Sequence, residues 1–112
     1  MSIEMLFGMM AMILVLLLIF ESVAYWHARN VYDEAAAEGA RVAAAFDGSC
    51  DEGVAAATAL IVRTAGSWAD GVRVTCVDGP LITVTVTGRT PGVLGDGAGM
   101  RASVTESAPK ER

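Results

Sequence analysis

Cys50 and Cys76 are the two thiols of the chain, and His27 is its single imidazole. Two thiols are too few for a structural zinc site, and the histidine belongs to the edge of an apolar run rather than to either cysteine. Their spacing is not Cys-x-x-Cys, so a redox motif is not expected. The reading that suits the pair is a disulfide. It would close residues 50–76 into a loop and stabilise the fold by roughly 3.5 kcal/mol in the chain-entropy account. The alternative is two buried free thiols, which suits a reducing compartment. A disulfide implies an oxidising one, so the segment that holds it is expected to face away from the cytoplasm.

Glu4 and Glu21 are the other residues whose placement could carry chemistry. They bracket residues 5–20, which hold no charge. On one helix they would stand about 26 Å apart, one near each boundary of a hydrocarbon layer. Both suit hydrated interfacial charges, and Glu4 also suits the first turn of a helix, where the macrodipole favours a carboxylate. Glu4 has a second use. A carboxylate one turn into an apolar helix can pair with the α-amino group of a neighbouring subunit, because a charge buried in an assembly is tolerated when paired. Glu21, followed by Ser22, can hydrogen-bond a neighbouring helix. No nucleophile motif, phosphate loop or metal-ligand cluster is present, so no enzyme, cofactor or metal is expected. His27 reads as an interfacial residue rather than a base.

The elements that position these residues follow from composition and period. The chain has 112 residues and is 54% hydrophobic, but the apolar residues are unevenly spread. A net charge of −5 and a pI near 4.6, with no basic cluster along the sequence, argue against nucleic acid as a partner. The run Met5–Phe20 spans roughly 24 Å as a helix, and Val23, Ala24, Tyr25 and Trp26 extend it to the length of a bilayer core. Tyr25 and Trp26 sit where an interfacial aromatic belt belongs. A cleaved secretory signal would need a basic n-region, a shorter apolar run and a small-x-small site, so the span is expected to remain in the mature protein, in contact with lipid. Charge does not set its orientation.

Residues 3–46 contain no proline, and Val31, Ala35, Gly39, Val42 and Phe46 recur at helical spacing. One helix of about 40 residues, roughly 60 Å long, is expected, its first half in lipid and its second in water. The turn cluster Asp47-Gly-Ser-Cys-Asp-Glu-Gly53 ends it. A second helix is expected over 51–66, with Val54, Ala57, Ile61 and Ala65 on its inner side. The period then changes to two. Strands are expected over 72–77, 81–87 and 100–106, the first two joined at Asp78-Gly79 as a two-residue hairpin, with a Gly-rich loop over 88–99. The fold class is therefore α+β: a long helix whose first half is transmembrane, a short helix and a three-stranded antiparallel sheet. Residues 1–26 form the transmembrane segment, 27–106 an extracytoplasmic domain and 107–112 a flexible tail.

Ser2-Ile3-Glu4-Met5 before a Leu-rich span resembles the start of a type IV pilin-like protein. His27-Ala-Arg-Asn30 and Ala35-Ala-Ala-Glu-Gly-Ala-Arg-Val-Ala-Ala-Ala45 narrow this. The chain resembles the TadE-like family of pseudopilins, especially actinobacterial ones, which are minor components of tight-adherence (Flp, type IVc) pilus systems. Nearly the whole chain takes part, and Glu38-Gly39-Ala40-Arg41 is the most specific stretch. The resemblance implies a pilin-like fold and a minor or tip role in a pilus that serves cell adhesion. It implies as partners other pilin subunits, the Tad assembly machinery in the membrane and a prepilin peptidase that cuts after a Gly shortly before the Glu. Glu4 would guide packing. Met1 is the one residue here before Ser2, so that cleavage point is not in the sequence. Ala36, Gly39, Ala40 and Ala43 form a small-residue helix face. It would admit either a neighbouring backbone or the chain's own sheet and second helix. The competing readings are a bitopic, membrane-anchored accessory subunit of a secretion or envelope complex, and an exported binding protein whose N-terminus is removed.

Overall fold

The computed structural model describes residues 2–69, 71–90 and 101–111. Helix α1 runs unbroken over Ile3–Ala44, and α2 covers Cys50–Ala65, followed by a 3-10 turn at Gly66–Ala69. The strands are β1 (Arg73–Val77), β2 (Leu81–Arg89) and β3 (Arg101–Pro109), antiparallel in the order β1-β2-β3. The molecule measures 72 × 22 × 17 Å, its length set by α1. The architecture is the α+β arrangement expected from the sequence.

Both helices start on serine caps. The Ser2 hydroxyl accepts from the Met5 N–H and the Ser49 hydroxyl from the Glu52 N–H, each at 3.3 Å. Acidic residues occupy both first turns, Glu4 in α1 and Asp51 and Glu52 in α2. These arrangements satisfy otherwise orphaned N–H groups and complement the helix dipole.

The domain is built on the second half of α1. Ala28, Val31, Tyr32, Ala35, Ala36, Gly39, Ala40, Ala43 and Ala44 are its buried residues. They face α2 and the inner face of the sheet, where Ile82, Val84 and Val86 are the largest buried aliphatics. The contact with α2 is unusually close. A Cβ on Gly39 would lie 2.9 Å from the Gly53 carbonyl oxygen and 3.1 Å from the Ala57 Cβ. A Cβ on Gly53 would lie 2.6 Å from the Gly39 oxygen and 2.7 Å from the Ala43 Cβ. Ala43 thus meets Gly53 while Gly39 meets Ala57, so the helices run antiparallel. The face formed by Ala36, Gly39, Ala40 and Ala43 is occupied within the chain, and that use of it is the one the structure displays.

Several sequence-based boundaries shift, each for a physical reason. Phe46 lies past the end of α1 and is 74% exposed, not on the inner face. Gly53, rather than the half-buried Val54, is the first inward residue of α2. The first two strands are joined by Asp78-Gly79-Pro80 rather than by two residues alone, because Pro80 lacks the N–H that a first ladder pair would use. Gly88 and Arg89 continue β2 instead of starting a loop. Gly88 is buried under Tyr32, whose phenol oxygen would lie 2.7 Å from a Cβ there. Tyr32 donates its hydroxyl hydrogen to the Arg89 carbonyl. Met100 and most of the expected 88–99 loop lie outside the described residues.

The expected tail is the clearest correction. β3 continues through Ser107, Ala108 and Pro109, paired with Thr83, Ile82 and Leu81. Beyond it the Lys110 N–H donates to the Pro80 carbonyl and the Glu111 N–H to the Ala44 carbonyl. The Lys110 ammonium donates to the carbonyls of Ala43 (3.0 Å), Ala45 (2.9 Å) and Gly48 (2.7 Å). It therefore caps the negative end of α1 from 62 or more residues away in sequence. Replacing Lys110 with methionine keeps the stem and removes the donors. The expected loss is about 2 kcal/mol, the scale of charge-assisted hydrogen bonds at a partly buried helix end. Chemical denaturation of the full chain in detergent micelles measures it.

Candidate membrane and assembly site

Between Ile3 and Phe20, α1 holds no buried residue. Its most apolar 18-residue window has a mean hydropathy of 2.7, and none of that window is buried. Apart from the half-buried Leu17, the large side chains from Ile3 to Phe20 are about half to three-quarters exposed, from 49% at Leu16 to 72% at Ile3. A surface of this size on a helix of this length suits a segment whose solvent is lipid or other apolar helices. The chain thus carries one long apolar N-terminal helix of the kind that anchors proteins in membranes.

Glu4 and Glu21 stand at the two ends of this stretch. Glu4 is exposed in the first turn beside the Ser2 cap. Glu21 is half-buried at the foot of the domain. With Ser22, Tyr25, Trp26 and Thr90 it lines a hollow of about 330 Å³ where the end of β2 comes down beside α1. Ser22 turns its hydroxyl back to the Leu18 carbonyl at 2.9 Å, a bond within the helix. Glu4 and Glu21 are not brought together and stand at opposite ends of the apolar stretch. His27 is exposed, as suits a residue at an interface.

Cys50, the first residue of α2, and Cys76, in β1, are joined as a disulfide with Cα atoms 5.6 Å apart. Tyr32, Gly53 and Lys110 matter to the domain and were not singled out in the sequence. For Lys110 a signal existed: it is the single lysine of the chain, at the end of an alternating segment. Tyr32 and Gly53 carry no local mark, because their roles depend on which elements meet.

Two groups outside the span titrate abnormally. Burial raises the Tyr32 phenol above its ordinary value. Glu106 is raised above the ordinary carboxylate range, first by a side-chain hydrogen bond with Asp33, then by the charge of Asp33 and by partial burial. A carboxyl whose pKa is higher folded than unfolded contributes stability below its unfolded pKa. That contribution is lost as pH rises through the folded value. At neutral pH, Asp33 on α1 and Glu106 on β3 therefore repel. Glu106→Gln retains a donor for Asp33 and removes the second charge. It is expected to raise the melting temperature at pH 7, and the advantage over the native chain should vanish near pH 4. Thermal unfolding at the two pH values measures both.

No curated protein and no solved structure matches the chain. A family model does, over residues 1–41. The matched segment contains Glu4, Glu21, Ala36, Gly39 and Ala40, and it stops before the second helix and the sheet. It comprises the apolar helix and four of the turns that carry the domain, and the model is described as TadE-like protein, which is the family the sequence resembles and one tied to Tad pilus systems.

Proposed function

We propose that this chain is a minor pilin, or pseudopilin, of a Tad (Flp) pilus, held in the membrane by α1 and contributing to assembly, initiation or tip structure through packing of that helix. The observation that carries this is the coincidence of the family match with an apolar helix segment that has no buried residue among the described residues. An uncovered apolar helix needs lipid while stored and other apolar helices once assembled, and a filament of bundled pilin helices supplies the second. Its partners would be other pilin subunits, the Tad assembly machinery and, for a precursor form, a prepilin peptidase. The N-terminus would lie on the cytoplasmic side and the domain outside, an orientation supported by the Cys50–Cys76 bridge. Glu4 would pair with the α-amino group of a neighbouring subunit, and Glu21 would meet a neighbouring helix at the opposite boundary. The role is structural rather than catalytic.

Deletion of the gene is expected to abolish or sharply reduce piliation. Glu4→Ala should reduce recovery of the protein in sheared filaments by tenfold or so, the cost of an unpaired buried charge partner, while the melting temperature of the domain stays unchanged. Normal piliation in the deletion strain, with the protein confined to membranes, would instead favour an accessory subunit of another envelope complex.

A further inference from the structure

The outward face of the sheet is neutral except at one end. Thr83–Ser107, Thr85–Thr105 and Thr87–Ser103 face each other across β2 and β3 as hydroxyl pairs at 3.0–3.1 Å. Past this ladder come three arginines. Arg89 and Arg101 are direct cross-strand partners, and Arg73 pairs with Thr87, which places it diagonally beside Arg89. All three are exposed, and the strand register gives them the same face as the hydroxyls. The outward positions of the three strands hold no acidic residue, and Glu106 belongs to the opposite face, with Asp33. Among the described residues none of the three arginines forms an ion pair; Arg41 with Glu38 does.

Three like charges at adjacent sheet positions destabilise the fold unless an anion meets them. Among the described residues the outward positions of the sheet hold these three cationic groups and no carboxylate, in a chain of net charge −5. The location says which anion. Thr90, next to Arg89, shares a hollow with Glu21 and with Tyr25 and Trp26, the aromatic pair that closes the apolar stretch of α1; the single carboxylate of Glu21 leaves the three guanidinium groups in excess. Arg89 and Arg101 therefore stand at the level where a bilayer's headgroups begin, and Arg73 lies about 7 Å further along the strands, still within a Debye length of that surface. The other end of the sheet, at Leu81 and Pro109, is beside the far end of α1 and has no such cluster.

We propose that Arg73, Arg89 and Arg101 form a docking site for anionic phospholipid headgroups in the leaflet on the domain's side, so that the stored subunit leans its sheet onto the membrane. Guanidinium forks match phosphate oxygens bidentately, and a modest tilt of α1, ordinary for a single span, brings them into contact. The threonine and serine hydroxyls above them offer neutral donors to the same headgroup layer. This inference rests on α1 as a membrane anchor and is independent of the pilus role.

The test uses the full chain with its disulfide intact, in nanodiscs of phosphatidylcholine alone or with about one-third phosphatidylglycerol. Phenylglyoxal modification of each arginine is followed by mass spectrometry. Each cationic side chain at an anionic surface gains about fivefold in association. Modification of Arg73, Arg89 and Arg101 should therefore slow at least about fivefold in the anionic discs, with Arg41 unchanged, and about 0.5 M salt should restore the rate. Equal rates in the two discs would overturn the proposal. So would slowing shared equally by Arg29, which would report only the general surface potential. Equal protection in neutral discs by soluble glycerol phosphate would also overturn it, by assigning the site to a free phosphate instead of a lipid.

Discussion

Reducing the Cys50–Cys76 bridge is expected to lower the stability of the domain by roughly 3.5 kcal/mol, a large share of what a domain of this size possesses. The bridge ties the first residue of α2 to an edge strand. β1 has five residues, pairs on one side only with β2, and shows an alternately exposed and half-buried pattern without one fully buried side chain. It buries too little to hold itself, and the loop closed by the disulfide removes much of the freedom it would gain by leaving. The helix–sheet core does not include β1 among its fully buried members, so it should survive better than β1 itself. Denaturation of the full chain in micelles, with and without reductant, gives the total. Hydrogen exchange locates it, with amides of residues 73–77 opening first and those of 82–86 later. A loss below about 1 kcal/mol, or uniform opening of all three strands, would mean that β1 is held by its packing on α2 rather than by the bridge.

The role of β1 also shows how far the sequence could be read. Period alone placed the long helix, the second helix and three strands, because Val72–Cys76 and Ile82–Val86 alternate while Val31–Val42 step by three and four. The apolar stretch of α1 was legible for the same reason: residues 5–20 have no polar side for a domain to leave out. Contacts between distant elements were not legible. Residues 107–112 read as a tail because nothing in Ser-Ala-Pro-Lys-Glu-Arg announces that Lys110 will reach the carbonyls of Ala43, Ala45 and Gly48. Gly88 read as the start of a loop because glycine is a common breaker. Its function is to leave room for Tyr32, which is 56 positions away in sequence. The arginine cluster is invisible along the chain, where Arg73, Arg89 and Arg101 are isolated charges, and becomes a patch only through strand register. The small-residue face was legible as a close-packing surface, but its occupant was not, since alanine and glycine admit any backbone equally.

That occupant sets the largest effect expected from a single substitution. Gly53→Leu should destabilise the domain by about 3 kcal/mol or more, through overpacking at a helix contact that has no slack. Glycine inside a helix costs about 1 kcal/mol relative to alanine, so Gly53→Ala carries an opposing gain in propensity. The geometry decides the sign. The new Cβ would sit 2.6 Å from the Gly39 carbonyl oxygen and 2.7 Å from the Ala43 Cβ. Neither obstacle can rotate aside, since one is backbone and the other is fixed by it, so the helix axes must separate. Separation would loosen Ala57 and Ile61, both buried against the same core. Gly53→Ala is therefore expected to remain destabilising by about 1 kcal/mol, and leucine, with three more carbons in the same gap, by several times that. Ala55 is exposed on the same helix, and Ala55→Leu should stay within about 0.5 kcal/mol of the native chain. Denaturation of the three variants in micelles separates packing from propensity. If Gly53→Ala proved more stable than the native chain, the close approach of α1 and α2 would be one the helices can relax without cost, and the small-residue face would be free to serve a neighbouring subunit as well.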